Sequence, residues 1–323
     1  MSDHPRAFVT GAAGFMGTAV SERLAALGYE VTGVDVVARD DRGVTMADVS
    51  TPGPWQELVA GCDLVIHTAA VVSNSASLDL AWKVNVRGTR NVVEACRDGG
   101  VQRLLHVSSA AVYSHDRPPV VTEKLPVRPS GRVYGDTKIA AEQVVFQAHA
   151  AGEVSATVVR PGDIYGPGSR PWTILPIQML AAGQVLLPAR GHGLLNPLYV
   201  TDLVEGVITA ATNPAGAGRV FNLSGPAAVE TRDFFGHYTR MLGISGPRVA
   251  PTILAVVVAT VVGSTLRALG RPSEASAGTM AMLATDARVS NELAHEVLGW
   301  EPQVDLDAGM EMTEAWLRAE GLI

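Results

Sequence analysis

The stretch TGAAGFMG, residues 10–17, restricts the fold of this 323-residue chain more than any other. It follows a short apolar run, RAFVT, and opens an amphipathic stretch, FMGTAVSERLAAL, that stops at Gly28. A strand that passes into a helix within so few residues needs Gly11 for the tight turn. Gly14 lets backbone approach a pyrophosphate, and Gly17 lets the helix pack on the strand, with Phe15 and Met16 between them in the same cradle. The first turn of such a helix offers unpaired N–H groups and the positive end of its dipole to an anion.

The rest of the first half keeps this rhythm. YEVTGVDV reads as a second strand, DLVIHTAA as another, LDLAWKVNVRGTRNVVEACRDGG as one long helix, and VQRLLHVSS as a strand. A helix from about Tyr134 and the strand VSATVVRPG follow. Strands alternating with helices predict an α/β chain with a Rossmann-type doubly wound parallel sheet, ligands binding beyond the carboxyl ends of its strands. Residues 1–162 are expected to form the dinucleotide domain, and 163–323 mainly a smaller mixed α/β substrate domain. Within the latter, 195–223 is expected to return to the main sheet.

Composition narrows the function. With 47% hydrophobic and 18% charged residues the chain can bury a sizeable core, and a formal net charge of −7 supplies no basic footprint for nucleic acid. The only cysteines, Cys62 and Cys96, sit in apolar or helical surroundings and read as buried thiols of a reducing, cytoplasmic compartment. The opening MSDHPRAFVTG lacks the layout of a signal peptide. His192 and His237 have no acidic or cysteine partners at metal-ligand spacing, so no metal is expected.

Asp35 closes the second strand, eighteen positions after Gly17. A carboxylate there accepts hydrogen bonds from ribose hydroxyls and repels a 2′-phosphate, which favours NAD over NADP although Arg39 and Arg42 lie close by in sequence. Farther on, RVYGDTK spaces Tyr134 and Lys138 at i and i+4, on one face of a helix. A neighbouring ammonium favours an ionised phenol. The plainer alternative is an exposed pair on a surface helix.

With those motifs in hand, the chain resembles the extended short-chain dehydrogenase/reductase superfamily, the NAD-dependent epimerase/dehydratase family. The resemblance runs through TGAAGFMG, DV at 48–49, HTAA at 67–70, NVRGT at 85–89, HVSSAAVY at 106–113 and YGDTK at 134–138. It continues through RPGDIYGPGS at 160–169, NPLYVTDL at 196–203, FNLSG at 221–225 and LGWEP at 298–302. It implies a catalytic triad of Ser109, Tyr134 and Lys138, with Ser108 an ordinary strand-end serine satisfying backbone groups. Asp48 and Val49 would hold the adenine edge, and Ala69 and Ala70 would line the cofactor. Asn85 would brace the site or touch the cofactor, and the Pro161 backbone would flank the nicotinamide. Tyr134 would take the proton of a substrate hydroxyl as hydride leaves the same carbon, Ser109 would hold the oxygen, and Lys138 would lower the tyrosine pKa and grip the ribose.

The substrate is read from departures. Epimerases of the family carry R-Y-F-N where this chain has RPGD, and Asp163 would face a diphosphate unfavourably. The arginine that usually precedes their HV-x-DL motif is missing around Leu195, Tyr199 replaces their histidine, and no arginine falls near Met280. The acidic pair of the dehydratases is replaced by Ala110 and Ala111. APTILAVVVATVVGSTLRALGRP, residues 250–272, holds about a dozen strongly apolar residues leading into a more amphipathic helix, too short an apolar run to span a bilayer, which needs about 20. It reads as a buried or dimer-facing helix, a lid over a greasy pocket, or an interfacial membrane contact, in that order. A similar segment ending in GRP occurs in the 3β-hydroxysteroid dehydrogenase-like branch. Trp172, Met179, Met280 and Met282 are candidate pocket residues that also suit a core. The leading expectation is an NAD-dependent dehydrogenase of a hydrophobic secondary alcohol, working as a homodimer on a small molecule. The alternatives are an NDP-sugar 4-epimerase with retained NAD and a non-catalytic dinucleotide sensor.

Overall fold

Seven parallel strands build the main sheet: β1 (Arg6–Thr10), β2 (Glu30–Asp35), β3 (Val44–Met46), β4 (Leu64–His67), β5 (Arg103–Val107), β7 (Ser155–Pro161) and β12 (Val220–Leu223). Their spatial order is β12-β7-β5-β4-β1-β2-β3. The computed structural model describes residues 4–73, 75–114, 117–270 and 273–323, so Met1–Asp3 of the N-terminal reading and Arg271 and Pro272 of the GRP reading lie outside the described residues. Chain direction reverses its order of addition between β1 and β4, and the ends of those two strands frame the crevice where such sheets bind ligands.

Near-continuous apolar runs in the strands follow from burial on both faces. In β1, Ala7 and Val9 enter one core cluster and Phe8 the other; Ile66 and Val65 of β4 divide the same way. Helix α1 (Phe15–Ala26) packs beside α6 (Val200–Thr212), and α3 (Gly88–Asp98) packs beside α4 (Val133–Ala150). The late strand β12 pairs in parallel with β7, Val220 opposite Val158, so chain beyond residue 195 completes the edge of the sheet.

Four small ladders shape the remainder. They pair β6 (Val120–Val121) with β15 (Arg288–Val289), β8 (Asp163–Tyr165) with β11 (Pro197–Tyr199), β9 (Leu186–Leu187) with β14 (Arg248–Val249), and β10 (Leu194–Leu195) with β13 (Val229–Glu230). Among them lie α5 (Leu175–Ala181), α7 (Thr231–Met241), α8 (Thr252–Ala268) and α9 (Ala277–Leu283). Trp172 and Tyr165 meet Phe234 edge-on, at 6.0 and 5.7 Å between ring centroids, and Trp172, Met179, Met280 and Met282 all pack in or against the large core.

One expected element differs. The long helix read from Leu78 is interrupted: α2 (Leu78–Ala81) passes through a π-helical segment, Trp82–Arg87, before α3 resumes. Such widened turns gather at functional sites, and this one carries Asn85. A periodicity reading could not show it, because the inserted turn leaves the apolar pattern of α3 intact.

Candidate active site

The glycine turn is built as its spacing requires. Gly11 adopts φ +70°, and a Cβ there would lie 2.9 Å from the Ala69 amide nitrogen; at Gly17 it would run into the Gly11 carbonyl. Gly14 is exposed at the N-cap of α1, and the first turn has neither a side-chain cap nor an acidic residue. Free N–H groups above an open glycine fit a pyrophosphate. Phe15 reaches from this turn to Gly168, where an added Cβ would touch its ring at 3.4 Å.

Asp35 stands at the rim of the same turn. Its carboxylate accepts from Ala13 N at 3.1 Å and Val37 N at 3.3 Å, which aims it along the adenosine side of the cradle. The two nearby arginines are engaged: Arg39 with Asp41, and Arg42 with Glu22 at 2.5 Å. Asp48, held below the usual carboxylate range chiefly by its bond with Ser50, lies 3.9 Å from Lys83. Val49 turns its side chain into the core against Gly88, so at that position it is the backbone that remains for a ligand. Ala69 and Ala70 are partly buried after β4, and Pro161 is buried at the end of β7.

The serine and tyrosine come together at the strand ends, with Lys138 one turn along the same helix. Ser109 caps the short turn Ala110–Tyr113, accepting from Ala111 N at 3.1 Å, and its side chain is hydrogen-bonded to that of Tyr134. Burial pushes the Tyr134 phenol up, and the Ser109 bond pulls the other way. Lys138 is only 2% exposed; burial lowers it to about 8, against the pull of Glu142. Its ammonium donates to Val107 O at 2.6 Å and faces His106 Nε2 at 3.3 Å, so the direct partners of the lysine lie on β5. Tyr134 is partly buried on a helix that faces the sheet, which excludes the exposed surface pair.

Asn85 spends its amide inside the chain. Oδ1 accepts from Val71 N at 2.7 Å, and Nδ2 donates to Val71 O at 3.2 Å and to Thr137 Oγ1 at 3.0 Å. Thr137 lies between the tyrosine and the lysine, so the π-helical segment clamps α4 to the loop after β4.

Sequence reasoning missed the polar layer between α4 and the ends of the neighbouring strands. Ser108 does not merely satisfy backbone: its hydroxyl donates to Glu142 at 2.5 Å, and Glu142 binds Arg160 through two bonds of 2.8 and 2.6 Å. Arg160 also donates to Tyr113 Oη at 2.8 Å, and Tyr113 donates to Asn222 at 2.7 Å. Glu142 is fully buried, and Ser108 and Arg160 between them occupy both of its carboxylate oxygens. A signal existed, since Tyr134, Lys138 and Glu142 stand at i, i+4 and i+8 on one helical face.

Just beyond β7, Asp163 accepts from Asn196 N at 2.7 Å; burial raises its pKa, while the Asn196 bond and the charge of Arg117 oppose the rise. Leu195 and Tyr199 are buried. Glu274, ahead of α9, accepts from Ser73 at 2.6 Å and Ser75 at 2.9 Å, and Gly278 of α9 lies against the side chain of Arg132, two residues before Tyr134. Within a single chain α8 takes the buried form of its buried-or-dimer-facing reading along one line alone: Ala255, Ala259 and Gly263 are buried, while Ile253 is 81% and Val261 60% exposed. Among the described residues no helix is long and apolar enough to cross a membrane, and no group of metal-ligating side chains occurs.

Comparison with known proteins agrees with this geometry. The chain is 30% identical over 95% of its length to the 4-hydroxy-2-methyl-3-oxo-4-farnesyl-3,4-dihydroquinoline-1-oxide ketoreductase of Stigmatella aurantiaca, covering 95% of that protein. It is 27% identical, over 95% of this chain and 87% of the other, to the human decarboxylating sterol-4-alpha-carboxylate 3-dehydrogenase. The solved structure of MoeE5 in complex with UDP-glucuronic acid and NAD superposes with a TM-score of 0.77 at 26% identity, over 98% of this chain and 99% of that one. Residues 7–224 match the family described as NAD dependent epimerase/dehydratase. With an uncapped glycine turn, a ribose-side carboxylate and these relatives, the chain belongs to the NAD dependent epimerase/dehydratase family, and its cofactor is NAD.

Proposed function

We propose that the protein transfers a hydride between a secondary alcohol, or its ketone, of a hydrophobic substrate and NAD. Bound NAD supplies the hydride acceptor and, when oxidised, positive charge that favours a tyrosinate. Tyr134 takes the hydroxyl proton during oxidation and returns it during reduction. Ser109, already hydrogen-bonded to Tyr134, holds the reacting oxygen. Lys138 keeps an ammonium within reach of the phenol and the ribose. Residues 163–323, apart from 195–223, form the substrate-binding part.

The observation that carries this reading is the Ser109–Tyr134 pair at the sheet's carboxyl edge. The names of two relatives contain a farnesyl group and a sterol, both hydrophobic. A screen of sterols, aryl alcohols and UDP-sugars for NADH formation tests it. Turnover of a hydrophobic alcohol that Tyr134→Phe abolishes supports it.

The MoeE5 complex with UDP-glucuronic acid favours a second reading, an NDP-sugar 4-epimerase. Purified protein that retains NAD, binds UDP-sugars saturably and produces no net NADH would establish that reading in place of the first.

The proposal includes a reducing cytoplasmic setting, consistent with free, buried Cys62 and Cys96. It also includes a homodimer closed through the outer face of α8, where Ile253, Leu254, Val257, Val258, Val261 and Val262 are exposed. Sedimentation of wild type against Val257→Lys tests it; a monomeric wild type that floats with phosphatidylcholine vesicles would overturn it in favour of a membrane contact.

A further inference from the structure

A buried ammonium has three N–H bonds to satisfy. Lys138 directs one to Val107 O and a second to His106 Nε2, both on β5. An ammonium can only donate, so His106 Nε2 carries the lone pair and the ring proton sits on Nδ1. That Nδ1 is buried without a hydrogen-bond partner.

The neighbouring ring does not relieve it. His67 lies 5.2 Å from His106 between centroids, but its Nδ1 meets Thr10 Oγ1 at 2.7 Å and its Nε2 meets Thr89 Oγ1 at 2.9 Å. Thr89 donates to Asn85 O at 2.6 Å, so its oxygen accepts from His67 Nε2–H, and His67 is complete without His106. The His106 ring is 0% exposed. An apolar ring would fill the same space with no orphaned N–H, and among the described residues the one polar contact His106 makes with a side chain is to Lys138.

We propose that His106 is a positioning residue: its Nε2 lone pair and the Val107 carbonyl fix two N–H bonds of Lys138, leaving the third directed away from β5 toward the cofactor ribose. This rests on the reading of Tyr134 and Lys138 as the working pair. The other titratable groups around them are Glu142 one turn along α4, Tyr134 one turn back, and His67 on β4. Without the His106 acceptor the ammonium loses a partner, so it deprotonates at lower pH and its contact with the ribose is lost earlier.

Three variants separate acceptor from filler. His106→Gln places an oxygen near the Nε2 position, His106→Asn is too short to reach Lys138, and His106→Phe keeps the ring shape without an acceptor. NADH affinity is followed by fluorescence from about pH 6 to pH 10, alongside the pH profile of kcat/KM for the alcohol that turns over. Asn and Phe should weaken NADH binding roughly threefold to tenfold at neutral pH and move its alkaline loss down by about one pH unit, the scale of one charge-assisted hydrogen bond. Gln should stay within about threefold of wild type. Equal behaviour of Gln and Asn, or a wild-type pH dependence in the Phe variant, would overturn the assignment. If Phe does not fold, the two amides decide. Failure of the catalytic reading looks different, since Tyr134→Phe would then turn over normally whatever His106 does.

Discussion

Two apolar runs of this chain meet opposite fates. The strand RAFVT lies between two helical layers, with Ala7, Phe8 and Val9 all 0% exposed, whereas the helix Thr252–Ala268, more continuously apolar, shows most of its valines to the outside. The difference lies in what each presents to its neighbours. Strand residues alternate between two faces, and each face has a helix to meet. In α8 the inward line is Ala255, Ala259 and Gly263, small enough for close backbone approach, and a Cβ on Gly263 would strike the Ala275 carbonyl. Hydrophobicity alone therefore decides burial only where the topology supplies a second surface.

The polar interior sharpens the contrast. Beneath the strand ends, Ser108, Glu142, Arg160, Tyr113 and Asn222 form one connected buried chain. Among the described residues no comparable layer underlies α8. Changes at the strand ends should thus alter chemistry or folding, and changes on the outer face of α8 should alter association.

The largest effect is expected from Tyr134→Phe, which should lower kcat by about 10²–10⁴-fold in NADH-linked turnover while NADH binding persists. Next, Glu142→Leu leaves the Arg160 charge buried and unpaired and should cost about 3–5 kcal/mol in urea unfolding. Gly263→Val, which forces α8 off its seat, should cost about 1–3 kcal/mol by the same measurement. An exposed change, Val261→Ser, should stay within about 0.5 kcal/mol and affect only sedimentation; a loss as large as that of Gly263→Val would show that α8's outer face is buried after all.

A pH test separates the two regions further. Lys138 is depressed to about 8 from 10.5 by burial, so between those values the unfolded chain binds more protons than the folded one. Stability from this group therefore rises as pH climbs from about 8 toward 10.5, and Lys138→Met should remove that rise in thermal melts. The outer face of α8, whose Ile253, Leu254, Val257, Val258, Val261 and Val262 carry no titratable group, should contribute nothing to it.

Much of the site could be read from residue order. Gly11, Gly14 and Gly17 act within a single turn, and Tyr134 and Lys138 within a single helix, so their geometry is local. Asp35 follows because one strand ends beside another. What escaped was non-local: Ser108 meets a glutamate 34 residues on, Asn85 holds Val71 and Thr137 across 14 and 52 residues, and His106 reaches Lys138 across 32. The apolar 253–262 stretch escaped for a different reason. Its composition specifies a helix, but which face turns inward depends on neighbours that composition does not name.

By itself, the sequence determined the alternation of strands and helices, the glycine cradle and the tyrosine–lysine face, because each is set by steric rules acting over one or two turns. Tertiary structure alone decided the partners of Lys138, the role of Ser108, the widened turn at Asn85 and the outward face of α8. Those depend on which distant segments meet, and a buried charge or an orphaned ring nitrogen acquires its meaning only from the groups packed around it.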